Sequence, residues 1–349
     1  MLTSLALHNF RSYTKKAWAF SQGVTCIVGP NAAGKTNVLE AIMLLATGKS
    51  FRAGIDREVI RWESEVARVI GQSGDEKVEI VLTPGVVSGQ KSPLKKHLVN
   101  GIPRRVIDFV GNVRAVLFWP EDLEIVTDSP SIRRRYLDTV LVQVDREYRR
   151  NLLSYERGVR QRNRLLDSIN EGTASRSQLL FWDQLLIRAG GYITQKRGEY
   201  ITFVNSTALA DHHFMIMYDK SVISEARLLQ YKDEEVAAKS TLVGPHRDDF
   251  GLFSQHHTLT SGYRDLNKFG SRGEQRLGVL WLKLAELSYI EKKTGERPML
   301  LLDDIFSELD EEHRKLVGNI VDRQQTVITS ADIESVPKHI RKSADIVAL

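Results

Sequence analysis

The sequence has almost no cysteine and no long hydrophobic run. Cys26 is the single cysteine among 349 residues, so an intramolecular disulfide framework is excluded and a reducing compartment is indicated. No apolar run approaches the roughly 18 residues that span a membrane, and the first residues do not combine a basic stretch with a long apolar one. We therefore expect a cytoplasmic protein that has no membrane partner.

A large charge of one sign, internal repeats and low-complexity tracts are also missing. Lys and Arg together number 49 and Asp and Glu 44, so the net charge is only +5. This charge alone is weak support for a polyanionic partner. The 42% of hydrophobic residues excludes a disordered chain, and the length allows two or three domains.

Residues 29–36 read GPNAAGKT and match a phosphate loop. Its members are Gly29, Pro30, Asn31, Ala32, Ala33, Gly34, Lys35 and Thr36. In such a loop, backbone N–H groups surround the β-phosphate, Lys35 reaches the β- and γ-phosphate oxygens, and Thr36 binds Mg²⁺. A buried-strand pattern at 24–28 and an apolar helix pattern at 38–46 flank the loop, which directs a helix N-terminus at the phosphates. We predict ATP and Mg²⁺ binding here, and the alternative is a chance match in a glycine-rich loop.

The apolar run Met299–Leu302 ends in two carboxylates, Asp303 and Asp304. A central parallel strand presents such groups at its C-terminal end, where ligands bind in open α/β sheets. We expect Asp303 to hold Mg²⁺ through water and Asp304 to act as the general base. Because Asp is one methylene shorter than the Glu usual in transporter-type ATPases, we predict slow hydrolysis, which makes the protein a weak ATPase. The alternative is a solvated acidic turn.

The string SRGEQR at 271–276 precedes a helix with one apolar face. The hydroxyl of Ser271 and the free N–H groups of the first helical turn can bind a γ-phosphate. Alone the string is better explained as a helix N-cap with Arg and Glu on a solvated face. Placed shortly before the acidic strand, it becomes the signature motif of an ABC-type ATPase, and we assign catalytic roles to Lys35, Asp304 and Ser271.

The two halves of this site lie at opposite ends of the chain. Strand patterns occupy 2–8, 24–28, 66–71, 78–83 and 97–99, with a tight turn at Asn100-Gly101, and helical patterns run from about 120 to 239. Strands resume after Gly244. We therefore predict an α/β fold, an ABC-type P-loop ATPase head formed by 1–119 and 240–349, with an inserted helical, arginine-rich lobe at 120–239.

Arginine is concentrated in the predicted lobe. Residues 133–164 contain ten Arg and four acids, a local net charge of +6. Because no Phe or Trp interleaves with them, we expect contact with a duplex DNA backbone and little base stacking. The alternative is a solvated helix face with pairs such as Glu156 and Arg160. The residues that we assign to DNA binding are Arg133, Arg134 and Arg135, with Arg104 and Arg105 as a second cluster.

The ordered motifs resemble the RecF family of the ABC/SMC-like ATPase group. The resemblance covers nearly the whole chain and rests on NFRSY at 9–13, the phosphate loop, GKSFR at 48–52, PEDL at 120–123, GPHRDD at 244–249, the signature and LLLDDIFSELD at 300–310. It implies an ATP-dependent dimer that binds gapped DNA during recombinational repair and, with RecR and RecO, helps load the recombinase. It also adds Arg11, Gly273 and Asp310 to the nucleotide site.

The chain departs from related patterns at a few positions. Ala32 stands where glycine is common, and Arg272 replaces a signature glycine. Thr329 or Ser330 stands where transporter ATPases have a sensing histidine. We interpret Gly244–Asp249 as a hydrogen-bonded turn and assign it no metal.

Three alternative functions remain open at this point. They are an ABC transporter ATPase subunit, a small-molecule P-loop kinase, and a DNA clamp with a vestigial ATPase. Binding to DNA and not to membranes would exclude the transporter subunit. Turnover of a metabolite would indicate the kinase, and a lack of phosphate release would indicate the clamp.

Overall fold

The computed structural model describes residues 1–209, 212–255, 262–308 and 311–349, without the side chains of 308 and 311–313. The chain forms two compact units. The first comprises Met1–Asp122 and Glu286–Leu349, and the second comprises Leu123–Ala285. Within the described ranges, no helix has the length and apolar character to cross a membrane.

The strands are β1 (Leu2–Phe10), β2 (Tyr13–Ala19), β3 (Val24–Val28), β4 (Ala67–Ser73), β5 (Glu76–Leu82), β6 (Val86–Val87), β7 (Gln90–Lys91), β8 (Lys95–Val99), β9 (Ile102–Arg104), β10 (Ala115–Phe118), β11 (Phe214–Asp219), β12 (Asp249–Gln255), β13 (Tyr263–Asp265), β14 (Met299–Asp303), β15 (Thr326–Ser330) and β16 (Asp345–Ala348). The helices are α1 (Lys35–Thr47), α2 (Val106–Phe109), α3 (Glu124–Thr127), α4 (Pro130–Val144), α5 (Arg146–Asn170), α6 (Leu180–Asn205), α7 (Glu225–Gln230), α8 (Lys232–Ala237), α9 (Leu266–Phe269), α10 (Arg272–Thr294), α11 (Ile305–Glu308), α12 (Glu311–Val321) and α13 (Lys338–Ser343).

A parallel sheet forms the core of the first unit. Its strand order is β10-β14-β15-β3-β16, and all neighbours in it are parallel. The residues of β14 and β15 are all buried, as expected for parallel strands covered on both faces. Strand β15 lies between β3 and β14, so the strands that carry the phosphate loop and the acidic end are not direct neighbours.

A six-stranded antiparallel sheet completes the first unit, in the order β2-β1-β4-β5-β8-β9. Leu5, Leu7 and Val69 are fully buried on one of its faces. Asn100 and Gly101 connect β8 to β9 with φ values of 52° and 76°. Positive φ at both central residues is typical of a type I′ hairpin turn, which confirms the turn predicted from the sequence.

The second unit combines a helical hairpin with a small sheet. Helices α5 and α6 run antiparallel and approach closely at glycines, since a Cβ atom at Gly158 would lie 2.9 Å from Leu186 and one at Gly190 would lie 3.0 Å from Tyr155. Strands β11, β12 and β13 form an antiparallel sheet.

The second unit extends further along the chain than the predicted lobe at 120–239. Strand β12 pairs with β11 along the whole length of β11, and β13 pairs with β12. These hydrogen bonds hold residues 240–285 in the second unit, whereas we expected them in the head. Short strands after Gly244 were predicted, but their sheet could not be assigned from local pattern, because pairing partners are set by tertiary contacts.

Candidate nucleotide site

The phosphate loop connects β3 to α1 in the first unit. Gly34 has a φ of 102°, and a Cβ atom there would lie 2.8 Å from the Tyr13 hydroxyl, so both conformation and space require glycine. The Ala33 N–H donates to the Pro30 carbonyl at 3.2 Å, and the Tyr13 hydroxyl donates to the Gly34 carbonyl at 3.2 Å. The loop thus has the curled backbone that surrounds a phosphate, and α1 begins directly after it.

Lys35 is held inside this loop. Its ammonium group donates to the carbonyls of Gly29 at 2.6 Å and Pro30 at 3.0 Å. Only 8% of the residue is exposed. The positive charge therefore lies within the curve of the loop, where it can meet phosphate oxygens.

Asp303 joins two threonine hydroxyls at the C-terminal edge of the parallel sheet. Thr36 Oγ1 donates to Asp303 Oδ1 at 3.0 Å, and Thr329 Oγ1 donates to the same oxygen at 2.6 Å. Burial raises the pKa of Asp303, and the hydrogen bonds from Thr329 and Thr36 oppose that rise. Thr329 therefore helps to keep this buried carboxylate charged.

The Thr36 and Asp303 oxygens fit a magnesium ion. Mg²⁺ prefers oxygen ligands and uses one or two protein oxygens together with phosphates and water. A divalent charge beside Asp303 would also compensate the burial of its carboxylate. The predicted pair is thus brought together by the fold, although 267 positions separate the two residues.

Asp304 adopts a left-handed backbone conformation, with a φ of 50°. Its N–H donates to the Thr329 carbonyl at 3.1 Å. Among residues other than glycine, Asp and Asn tolerate this conformation best, because their short side chains bond locally. This offers a physical reason for the short Asp at the position predicted for the general base.

Arg11 is bound by a buried carboxylate. Its Nε and Nη2 donate to the two Glu40 carboxylate oxygens at 2.8 and 2.6 Å, and Nη1 donates to the Glu58 carbonyl at 2.9 Å. Glu40 lies on α1 and has a fully buried side chain, which also accepts from the Ser50 hydroxyl at 2.5 Å. Arg11 thus fixes α1 and the loop before β4, and each of its three guanidinium nitrogens donates one of these bonds.

Ser271 and Glu274 cap α10 in the second unit. Ser271 Oγ accepts from the Glu274 N–H at 3.2 Å, and the Glu274 carboxylate accepts from the Ser271 N–H at 2.8 Å. Burial opposes a fall in the pKa of Glu274, but the Ser271 bonds and the ion pair with Arg264 lower it. This capping box satisfies the helix start, as the N-cap alternative predicted.

The signature residues Ser271 and Gly273 lie at the surface. Ser271 is exposed, and a Cβ atom at Gly273 would have no neighbour within 4 Å. The contacts that the structure describes therefore do not require glycine at 273. The apolar face of α10 packs as predicted, since Leu277, Leu280 and Trp281 are buried. Asp310, also assigned to the nucleotide site, lies outside the described residues.

The arginines assigned to DNA binding differ in exposure. Arg104 and Arg135 are exposed, and Arg105 is exposed but paired with Asp108 at 3.1 Å. Arg133 is buried and forms two bonds with the Asp249 carboxylate, at 2.6 and 3.0 Å.

Arg134 is also engaged, because it donates to the Asp248 carbonyl at 2.7 Å. Burial lowers the pKa of Arg134, and the nearby Arg197 adds to this effect. Arg133 and Arg134 therefore have structural contacts in place of the exposed positions that we expected. Arg133 binds the Asp249 carboxylate and Arg134 the Asp248 carbonyl, and sequence spacing could not indicate these partners more than 110 positions away.

The Gly244–Asp249 segment is a hydrogen-bonded turn in the second unit. The fully buried Asp248 carboxylate accepts from Arg197 at 2.9 Å, from the Ser221 N–H at 2.7 Å and from the Tyr218 hydroxyl. These bonds connect α6, β11 and the turn, so the segment joins elements of this unit.

Tyr13 and Glu40 are contributors that the motif analysis did not assign. The buried charge of Glu40 was a usable signal, because a carboxylate on an apolar helix face requires a cationic or hydrogen-bonding partner. The contact of Tyr13 with Gly34 had no comparable signal in the sequence. Thr329 was considered as a phosphate sensor, and the structure places its hydroxyl on Asp303.

The parallel sheet, the phosphate loop and the Thr36–Asp303 pair together define a P-loop nucleotide-binding fold. The sequence model of the RecF/RecN/SMC N-terminal domain matches residues 1–338. The DNA replication and repair protein RecF of Roseiflexus castenholzii is 37% identical to the chain, over 94% of the chain and 93% of that relative. The DNA replication and repair protein RecF of Lachnoclostridium phytofermentans is 35% identical, over 96% of the chain and 93% of that relative. The chain belongs to the RecF family.

Solved structures agree with this assignment. The recombination mediator protein RecF-ATP in the RecFOR pathway has a TM-score of 0.83 and 32% identity, over 96% of this chain and 94% of that one. An Smc head domain from Pyrococcus furiosus shares the fold, with a TM-score of 0.52, 16% identity and coverage of 99% and 92%. The predicted family and the α/β ATPase-head fold class are confirmed, which sets aside the transporter and small-molecule kinase alternatives.

Proposed function

We propose that the protein binds ATP at the phosphate loop, with Mg²⁺ held by Thr36 and Asp303. The observation that carries this proposal is the convergence of the Thr36 and Thr329 hydroxyls on one buried carboxylate oxygen, together with a lysine held inside the loop. A relative of 32% identity is described with ATP. When bound, Mg²⁺ would neutralise charge on the phosphates, while the loop N–H groups and Lys35 orient them.

We further propose slow hydrolysis, with Asp304 orienting the attacking water. Asp304→Asn should retain ATP binding, because Asn also tolerates a positive φ and the Thr36–Asp303 pair remains. Phosphate release should fall at least about 100-fold, the lower range for loss of a general base. Equilibrium ATP binding and single-turnover phosphate release measure the two effects. Unchanged release would place the base elsewhere, and a parent protein that releases no phosphate would favour the vestigial-ATPase alternative.

The biological role that we propose is ATP-dependent DNA binding in recombinational repair. The protein would act in the cytoplasm as an ATP-induced homodimer on duplex or gapped DNA and help load the recombinase together with RecR and RecO. Support comes from the repair and RecFOR descriptions of its relatives. The exposed Ser271 and Gly273 also leave a surface at the signature that a second subunit's nucleotide can meet.

A titration of duplex and gapped DNA with and without ATP tests this role. Binding should require ATP and Mg²⁺ and should weaken steeply with salt, because phosphate contacts release counterions. Lys35→Ala should remove the ATP dependence without removing the basic surface. DNA binding that is identical with and without ATP in the parent protein would contradict the proposed switch.

A further inference from the structure

Helix α5 carries a line of exposed arginines along one side. Their side chains recur at alternating intervals of four and three residues, together with one leucine, so they fall within an arc of about 80°. We call this the α5 stripe, and its members are Arg146, Arg150, Leu153, Arg157, Arg160 and Arg164, all of them exposed.

The opposite side of α5 makes the packing contacts of the helix. Its buried residues are Tyr148, Leu152, Tyr155, Gly158, Arg162 and Leu166. Arg162, on the buried side, has a structural role. Its guanidinium donates to Asp183 at 2.7 Å, Glu235 at 2.7 Å and Thr241 at 3.1 Å. The stripe lies away from these contacts.

Arg157, Arg160 and Arg164 contribute little to the stability of the unit. Within the part of the chain that the structure describes, the guanidinium groups of Arg157, Arg160 and Arg164 have no hydrogen bond or ion pair. Arg150 pairs with Glu147 at 3.5 Å on the surface, an arrangement worth at most about 1 kcal/mol. Like charges three and four residues apart destabilise a helix, so the pattern indicates a ligand of opposite charge.

The dimensions of the stripe match a duplex. From Arg146 to Arg164 the helix rises about 27 Å, and the same length of duplex DNA carries about 16 phosphate charges. Arginine forks match phosphate oxygens geometrically. Leu153 is the single apolar member, and one leucine does not form the central cluster of apolar and aromatic anchors of a typical protein interface.

We propose that the α5 stripe is the surface that holds the phosphate backbone of duplex DNA. This inference rests on the proposed DNA-binding function. It assigns DNA contact to the exposed side of α5 in place of Arg133 and Arg134, which bind residues of the same unit. The contact is electrostatic and independent of base sequence. It therefore predicts a salt-dependent affinity without base stacking.

The test compares two triple variants of the full chain with equal loss of charge, in ATP and Mg²⁺. The stripe variant is Arg157→Gln, Arg160→Gln and Arg164→Gln. The control is Arg188→Gln, Lys220→Gln and Lys232→Gln, at exposed positions of the same unit outside the stripe. Gln has a helix propensity close to that of Arg and Lys, so thermal unfolding should be unchanged in both.

Affinity for a fluorescent duplex is measured over a range of salt concentrations. The stripe variant should bind at least about tenfold more weakly at low salt, and its slope of log affinity against log salt should flatten by about 2 to 3. The control should change less than twofold. Arg157→Lys, Arg160→Lys and Arg164→Lys should restore most of the slope, because the charges return.

Three results would overturn the inference. A stripe variant that binds like the control would show that the stripe does not contact DNA. A parent protein that binds poly-glutamate more tightly than duplex, and loses that binding in the stripe variant, would make the partner an acidic protein. A parent protein that binds no DNA would remove the proposed function itself, and with it this surface.

Discussion

Ala32 has a backbone conformation that glycine adopts more readily. Its φ is 67° in the phosphate loop, whereas its neighbour Ala33 is not in the left-handed region. A left-handed conformation costs an L-residue roughly 1 to 2 kcal/mol. The sequence departure noted at this position therefore corresponds to local strain.

Ala32→Gly should increase the free energy of unfolding by about 0.5 to 1 kcal/mol, since relief of strain exceeds the added entropy of the unfolded chain. Ala33→Gly is the matched control and should decrease it by about 0.5 to 1 kcal/mol, because there glycine adds entropy alone. Urea unfolding measures both. Equal losses in the two variants would contradict the strain argument.

Arg133 and Arg135 are neighbours with opposite expected effects. Arg133→Ala removes a buried partner of Asp249 and should decrease the free energy of unfolding by about 2 to 4 kcal/mol. Arg135→Ala changes an exposed side chain and should stay within about 0.5 kcal/mol. Chemical denaturation of the two single variants checks this. A stable Arg133→Ala protein would show that its ion pair is dispensable.

At the scale of elements, the position of β15 between β3 and β14 determines the chemistry of the site. The parallel register sets Thr329 opposite Asp303, and the hydroxyl then bonds the carboxylate. A bond donated to a carboxylate favours its charged form. Strand β15 thus supplies Thr329, which favours the charged form of Asp303. Thr329 belongs neither to the phosphate loop nor to the acidic end of β14.

Thr329→Val should weaken Mg²⁺-dependent ATP binding at least about tenfold, since a hydrogen bond to a charged group contributes about 1.5 to 3 kcal/mol. Loss of the bond raises the pKa of Asp303 further, so protons compete better and the defect should be larger at pH 6 than at pH 8. Calorimetric titration at both pH values measures this.

Thr326→Val is the control on the same strand, because that hydroxyl donates to the Val321 carbonyl and does not touch Asp303. It should leave the pH dependence of ATP binding unchanged. A parallel loss in both variants, without pH dependence, would indicate general damage to β15.

At the scale of the whole molecule, the phosphate loop lies in the first unit and Ser271 in the second. Under the proposed function, a γ-phosphate held by Lys35 would still have exposed oxygens. In ABC-type ATPases the signature of an opposing subunit meets them, so ATP becomes part of the interface. The exposure of Ser271 and Gly273 is compatible with such a shared site.

Complementation tests this arrangement. Lys35→Ala destroys the loop half of each site and Ser271→Arg blocks the signature half, so each homodimer should be inactive. A mixture should regain part of the ATPase activity, because one composite site of the heterodimer combines an intact loop with an intact signature. Phosphate release on mixing is the measurement. Absence of activity in proven heterodimers would refute the shared site.

Features that depend on local pattern can be predicted from the sequence of this protein. The phosphate loop, the buried run before Asp303 and the Asn100-Gly101 turn are each specified by residues close together in the chain, where spacing and conformational preference act directly. The order of the motifs also sufficed to indicate the family.

Contacts between residues that are distant in the chain depend on the folded structure. Arg133 and Asp249 are 116 positions apart, and Thr329 and Asp303 are 26 apart on neighbouring strands. Composition could not separate Arg133, which is buried, from Arg157, which is exposed, because burial depends on which helix face meets the rest of the unit. For the same physical reason, strand pairing rather than local propensity assigned residues 240–285 to the second unit.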